Sequence, residues 1–150
     1  MIYDRRAAVK RLIEKIKNEK GAAMVEFAIV LPLLLMLVFG MIEFSIMFYD
    51  KAVITNASRE GARAGIVYDF PDRISTGDIE TTVGNYCGDR LITFGSTNQV
   101  NTSVIGPCIN AGDTITVTVT YPYDFLVLPN FVTTLTGPMD LSAVTIMRCE

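Results

Sequence analysis

A long apolar stretch near the N-terminus dominates the pattern of hydrophobic and polar positions. Residues 27–42 carry no charge, and the apolar flanks 22–25 and 44–49 extend the stretch, interrupted only by Glu26 and Glu43. About 20 helical residues span a hydrocarbon core of roughly 30 Å, so Ala22 to Ile42 is long enough to cross a bilayer.

The same segment predicts one long helix, residues 22–67, that continues beyond the membrane. Pro32 lies inside it and lacks a backbone N–H donor, so we expect a kink there. Glu43 would lie near the far edge of the bilayer that the helix crosses, where we expect its carboxylate to reach into the headgroups.

After the long helix the pattern changes its period. Ser75 and Thr76 can cap a short helix, Gly77 to Tyr86. Strict alternation over Asp113–Tyr121 predicts a strand, Leu141–Cys149 predicts a second and residues 99–105 a weaker one, while Pro122 and 125–131 indicate an excursion between strands. The fold class is therefore α+β, with a small antiparallel sheet of three or four strands resting on the helix. The expected domains are a leader at 1–21, the long helix at 22–67 and a head domain at 68–150.

The charges are sorted around the apolar stretch. Residues 1–21 hold seven basic and three acidic side chains, a net +4, whereas the remaining 129 residues hold six basic and thirteen acidic ones, a net −7. Since Lys and Arg stay on the cytoplasmic side of a membrane segment, the N-terminus is expected inside and the C-terminal domain outside. The acidic exported part argues against nucleic acid as a partner.

Gly21 and Glu26 distinguish this stretch from a plain membrane anchor. A carboxylate in an apolar helix costs about 2.5–3.5 kcal/mol at the bilayer centre and less near its edge. Cutting the chain after Gly21 would create a partner for Glu26, the free ammonium of Ala22 of a neighbouring subunit. Removing one member of a buried pair costs about 3–5 kcal/mol, so such a pair would set the register during assembly.

These residues carry a resemblance to a known family. GAAMVEFAIVLPLLL, the FGMIEF block and TNASREGARAG, together Gly21 to Gly65, closely resemble the TadE-like pseudopilins of the tight-adherence (Tad/Flp) type IV pilus machinery. The resemblance implies an N-terminal helix of the type IV pilin kind and a precursor that a prepilin peptidase cuts between Gly21 and Ala22. It implies a minor pilin or pseudopilin in the bacterial inner membrane or a pilus, with other Tad subunits, the inner-membrane assembly platform and membrane lipid as partners.

Two alternatives stay open, and the missing chemistry bears on one of them. An uncleaved bitopic scaffold of the cell envelope fits the same topology. An exported enzyme is disfavoured, because the chain has no histidine and no phosphate-binding glycine loop. We expect no cofactor and no metal. Asp69, Asp72, Asp78 and Glu80 could form a calcium site, but we favour the interpretation that they belong to a solvated polar loop.

Three cysteines lie on the side expected to be exported, where an oxidising compartment permits a disulfide. Their odd number leaves one thiol over. The preferred pair is Cys87 with Cys108; the alternative is that all three cysteines are small buried residues.

Overall fold

The computed structural model describes residues 3–67, 74–93, 95–106, 108–125 and 139–149. Two helices come first, α1 (Tyr3–Ile66) and α2 (Thr76–Gly88), followed by three strands, β1 (Asn101–Ile105), β2 (Thr114–Tyr123) and β3 (Met139–Arg148). They form two compact units, Met1–Met41 and Ile42–Glu150. The predicted fold class is confirmed: a long apolar N-terminal helix precedes a small antiparallel sheet of three strands.

Helix α1 runs without interruption through the basic leader, and Pro32 lies inside it. The kink at Pro32 stays a prediction. Pro71, expected to end the long helix, lies outside the described residues. The last helical residue is Ile66, one residue before the predicted end.

Helix α2 begins where the sequence predicted a cap. The Ser75 side chain accepts a hydrogen bond from the Asp78 backbone N–H, and the Asp78 carboxylate accepts one from the Ser75 N–H, which forms a capping box. Ile79, Val83 and Cys87 recur every fourth residue and are buried, so α2 covers the core with one face.

The sheet has the order β1-β2-β3, with both pairs antiparallel. Strand β2 continues two residues beyond its predicted end, through Pro122, although proline cannot donate a ladder hydrogen bond. The β1 pairing ends at Asn101 opposite Thr120, so among the described strands only β3 pairs with β2 at Pro122. Residues 126–131 of the predicted excursion lie outside the described residues.

The core of the unit Ile42–Glu150 lies between one sheet face and the two helices. Strand β2 turns Ile115, Val117, Val119, Tyr121 and Tyr123 inward, in strict alternation. Helix α1 contributes a narrow face made mostly of small residues: Val53, Ile54, Ala57, Gly61, Ala62 and Gly65.

Two glycines let α1 approach the sheet and α2 closely. A Cβ built on Gly61 would lie 2.6 Å from Val83 Cγ2, and one on Gly65 would lie 2.5 Å from Ile115 Cδ1 and 2.9 Å from Ile79 Cδ1. All three distances are shorter than any normal carbon–carbon contact. Larger side chains at these positions would push α1 away from the core.

We predict that Gly61→Ala destabilises the head although alanine favours the helix. The added methyl overpacks the contact with the stiff Val83 side chain at a cost of about 1–3 kcal/mol, against a propensity gain of about 1 kcal/mol. The matched control is Gly84→Ala in α2, where a Cβ meets no atom within 4 Å. Thermal unfolding of the full chain in detergent micelles measures both; a Gly61 variant as stable as the Gly84 variant would contradict the packing argument.

Candidate functional site: the processing region and a buried polar row on α1

The predicted processing residues all lie within α1. Gly21, Ala22 and Glu26 are exposed, and Ala22 and Glu26 lie one helical turn apart on the same face. The neighbouring side chains Met24, Phe27 and Ile29 are 62–73 % exposed. Such a surface requires lipid or an apolar partner around it. The roles assigned to Gly21, Ala22, Glu26 and Pro32 stay predictions.

A second set of polar residues lies on the buried face of α1 in the unit Ile42–Glu150. Glu43, Asp50 and Ser58 are separated by seven and eight residues, close to two helical turns each, so they share one face. All three are at most 2 % exposed. We call them the polar row. Buried charged groups are uncommon unless they are paired, which makes their partners informative.

Glu43 is bound to the sheet. Its Oε1 accepts a hydrogen bond of 2.6 Å from the Tyr123 hydroxyl at the end of β2. The expectation that Glu43 reaches into the headgroups is therefore wrong, because the head covers this side chain. Burial, and then the hydrogen bond to Glu43, raises the pKa of Tyr123, so the phenol keeps the proton that it donates.

Asp50 connects α1 to the segment that follows α2. Its Oδ1 accepts a hydrogen bond of 2.9 Å from the Ile92 backbone N–H. Its Oδ2 is buried and has no hydrogen-bond partner among the described residues. An unsatisfied buried polar atom costs about 1–3 kcal/mol. The packing around Asp50, rather than hydrogen bonds to both of its carboxylate oxygens, therefore holds this side chain in place.

Ser58 completes the row against β3. Its hydroxyl lies 2.7 Å from Thr145 Oγ1 and 2.9 Å from the Thr55 carbonyl oxygen, one turn earlier on α1. Nearby, the Lys51 ammonium donates to the Ser142 backbone oxygen on the same strand. The polar row therefore binds three different parts of the head: the end of β2, the segment after α2, and β3.

The disulfide joins Cys108 to Cys149, with Cα atoms 5.6 Å apart. The preferred Cys87–Cys108 pair is therefore wrong. Cys87 occupies a buried position on α2, and burial raises the pKa of its thiol to about 11 despite the nearby Arg90. Cys149 follows β3 directly, and its backbone bonds with Gly112 and Asp113 hold it beside the connection between β1 and β2, in which Cys108 also lies.

A sequence signal for this pairing existed. Cys87 falls four and eight residues after Val83 and Ile79, the spacing of an apolar helix face, whereas Cys108 lies shortly before the predicted strand Asp113–Tyr121 and Cys149 ends the predicted strand Leu141–Cys149. The acidic residues considered for calcium also have another role. Asp78 caps α2, Glu80 is exposed, and Asp69 and Asp72 lie outside the described residues; within the described residues no group of three or more metal-ligating side chains occurs.

The match to known proteins falls on α1. Residues 21–63 match the family model described as TadE-like protein. Over this segment the chain is similar to TadE-like proteins. No curated protein and no solved structure matches the chain. The segment that matches the family model contains the predicted processing residues and the whole polar row but ends before α2 and the sheet.

The TadE-like match gives the function in outline. It indicates a pilin-like protein associated with the Tad pilus, with a structural role among other pilus components. Within the described residues, one helix, Gly21–Ile66, is long and apolar enough to cross a membrane. Together these two findings indicate a membrane-anchored protein.

We predict that Tyr123→Phe weakens the head by about 1–3 kcal/mol, since it removes the hydroxyl donor from the buried Glu43 carboxylate. The matched control is Tyr49→Phe on α1, the helix that carries Glu43. This change removes the hydroxyl of a side chain that is 47 % exposed and should change stability by less than about 0.5 kcal/mol. Urea unfolding in micelles compares them. Equal midpoints would show that the Glu43–Tyr123 bond does not hold the sheet on α1.

Proposed function

We propose that this chain is a prepilin-like precursor that a membrane prepilin peptidase cuts between Gly21 and Ala22. The mature subunit then acts as a minor pilin or pseudopilin in Tad pilus biogenesis. The observation that carries the proposal is the position of the TadE-like match, which begins at Gly21, with Glu26 one turn beyond Ala22.

Charge and exposure support the orientation. The basic leader would remain in the cytoplasm, and the acidic head would be exported across the bacterial inner membrane. The exposed apolar side chains of 24–42 first face lipid and then, in an assembled pilus, the helices of other subunits. The prepilin peptidase, other Tad pilin-like subunits and the inner-membrane assembly platform are the partners in this proposal.

Glu26 acquires its role from the cut. Before processing it is a carboxylate at the cytoplasmic end of the apolar stretch, where moving it into an apolar layer would be costly. After processing, the Ala22 ammonium of a neighbouring subunit offers a charge partner in the same apolar layer, and a pair that is buried only in the correct register selects that register.

A second candidate is a permanently anchored scaffold that is never cut. The observation in its favour is that α1 runs unbroken from the leader through Gly21, so the uncut chain already forms one continuous helix. The two candidates differ in a single covalent bond, and the mature N-terminus separates them.

We expect mass spectrometry of the chain from membranes with an active prepilin peptidase to find Ala22 as the first residue. Gly21→Leu should leave the chain uncut, because a bulky side chain replaces the small residue before the bond. The matched control, Gly40→Leu, should be cut normally; both glycines have open space around the Cβ position, so neither change disturbs packing. A wild-type chain that still begins at Met1 would favour the scaffold.

For Glu26→Gln we expect normal cutting with loss of pilus assembly, because the amide keeps the size of the side chain but removes the charge that pairs with the Ala22 ammonium. The matched control is Glu60→Gln, an exposed carboxylate on the same helix, which should assemble. The readouts are N-terminal mass and the amount of pilus on cells. Normal piliation in the Glu26 variant would rule out the charge-pair role.

A further inference from the structure

The face of α1 that points away from the sheet changes from aromatic to polar and charged side chains within the unit Ile42–Glu150. Opposite the polar row, the large exposed side chains are first aromatic, with one small polar residue, Ser45, among them: Phe44 is 58 % exposed, Phe48 65 % and Tyr49 47 %. Further along the same face, the exposed residues are Asn56, Arg59, Glu60 and Arg63. The change from aromatic to polar and charged side chains therefore falls between Tyr49 and Asn56, at least seven residues beyond the end of the membrane segment expected from hydropathy.

Glu43 is the charged residue at which the membrane segment expected from hydropathy ends, but its side chain does not lie on the outward face of α1. It is 2 % exposed and bonded to Tyr123. With Glu43 enclosed by the head, no charged side chain from Phe27 to Tyr49 faces outward, and the apolar run is bounded by Glu26 and by Asp50 with Lys51. Residues 27–49 extend about 34 Å as a helix, which matches a hydrocarbon core of roughly 30 Å.

The residue types at the outer end of this run fit a bilayer boundary. Aromatic side chains are enriched where hydrocarbon meets headgroups, and tyrosine places its hydroxyl toward water. Phe44 and Phe48 lie one turn apart with ring centroids 6.1 Å apart, forming one continuous aromatic strip that Tyr49 extends. A large exposed apolar strip on an exported domain is unusual unless something apolar covers it.

From this geometry we infer that the membrane interface on the exported side lies at Phe44–Tyr49, so that lipid covers this aromatic strip. The membrane register is then 27–49 rather than 22–42, which puts Glu26 at the cytoplasmic edge of the uncut chain. The inference rests on membrane anchoring but not on cutting at Gly21 or on pilus assembly.

The chain has no tryptophan, so single tryptophans can report depth without background. We compare Phe48→Trp with Arg59→Trp in the full chain reconstituted in phosphatidylcholine–phosphatidylglycerol vesicles. Positions 48 and 59 are eleven residues apart, about three turns, and are both exposed on one face, so they differ mainly in height. The probes are phospholipids brominated on the acyl chains and the aqueous quencher acrylamide.

We expect the position-48 indole to emit at shorter wavelength and to be quenched more by brominated lipid than by acrylamide, with the reverse order at position 59. If position 48 is quenched like position 59, the boundary lies below Phe48 and the inference fails. If position 48 emits at short wavelength but brominated lipid does not quench it, and its emission moves with the protein-to-lipid ratio, a neighbouring subunit covers the strip and the lipid assignment is overturned.

Retention of the chain in carbonate-washed membranes and the mass of its N-terminus are measured on the same samples. A correctly anchored and processed chain with a water-exposed indole at position 48 would refute the register while leaving the proposed function intact. A chain that is never cut but gives the expected quenching would support the membrane register of residues 27–49 and contradict the proposed cut after Gly21.

Discussion

The head depends on the burial of one narrow face of α1. From Glu43 to Gly65, this face carries mostly small or polar residues, together with Val53 and Ile54, and the sheet and α2 pack directly against it. A sheet of three strands with one short helix has little apolar surface of its own, and small domains bury too little surface to be robust. The second half of α1 supplies the missing core wall. The compact unit that contains the sheet begins at Ile42 and so includes this half of α1.

The same helix has to satisfy different surroundings along its length. From Phe27 onward its sequence is apolar, and on the head unit its outward face is aromatic to Tyr49 and charged from Arg59 onward. Its inward face holds carboxylates at Glu43 and Asp50, which hydropathy alone counts as interruptions of an apolar run. Because burial removes Glu43 from that count, the membrane register depends on the fold of the head as much as on the helix sequence.

Most helices and strands could be predicted from the sequence, because each depends on the spacing of apolar and capping residues within its own short segment. Strict alternation located β2, and Ser75 followed by Asp78 located the start of α2. The disulfide and the role of Glu43 were mispredicted because both depend on contacts across the chain: Cys108 meets Cys149 through the pairing of β2 with β3, and Glu43 meets Tyr123 eighty residues away. The processing residues depend on partners outside the chain, so their assignment rests on the TadE-like match rather than on geometry.

The polar row adds to the close packing of the glycines in keeping the head at one position on the helix face. Moving the sheet by one helical turn would bring the methyl group of Ala57 to the position that Gly61 occupies against Val83. Glu43, Asp50 and Ser58 each require a different partner, so the same shift would leave two buried carboxylates without their donors. Buried polar groups of this kind set register at the expense of stability. If the subunit is moved by its apolar helix during assembly, that fixed register is what makes the head move with it.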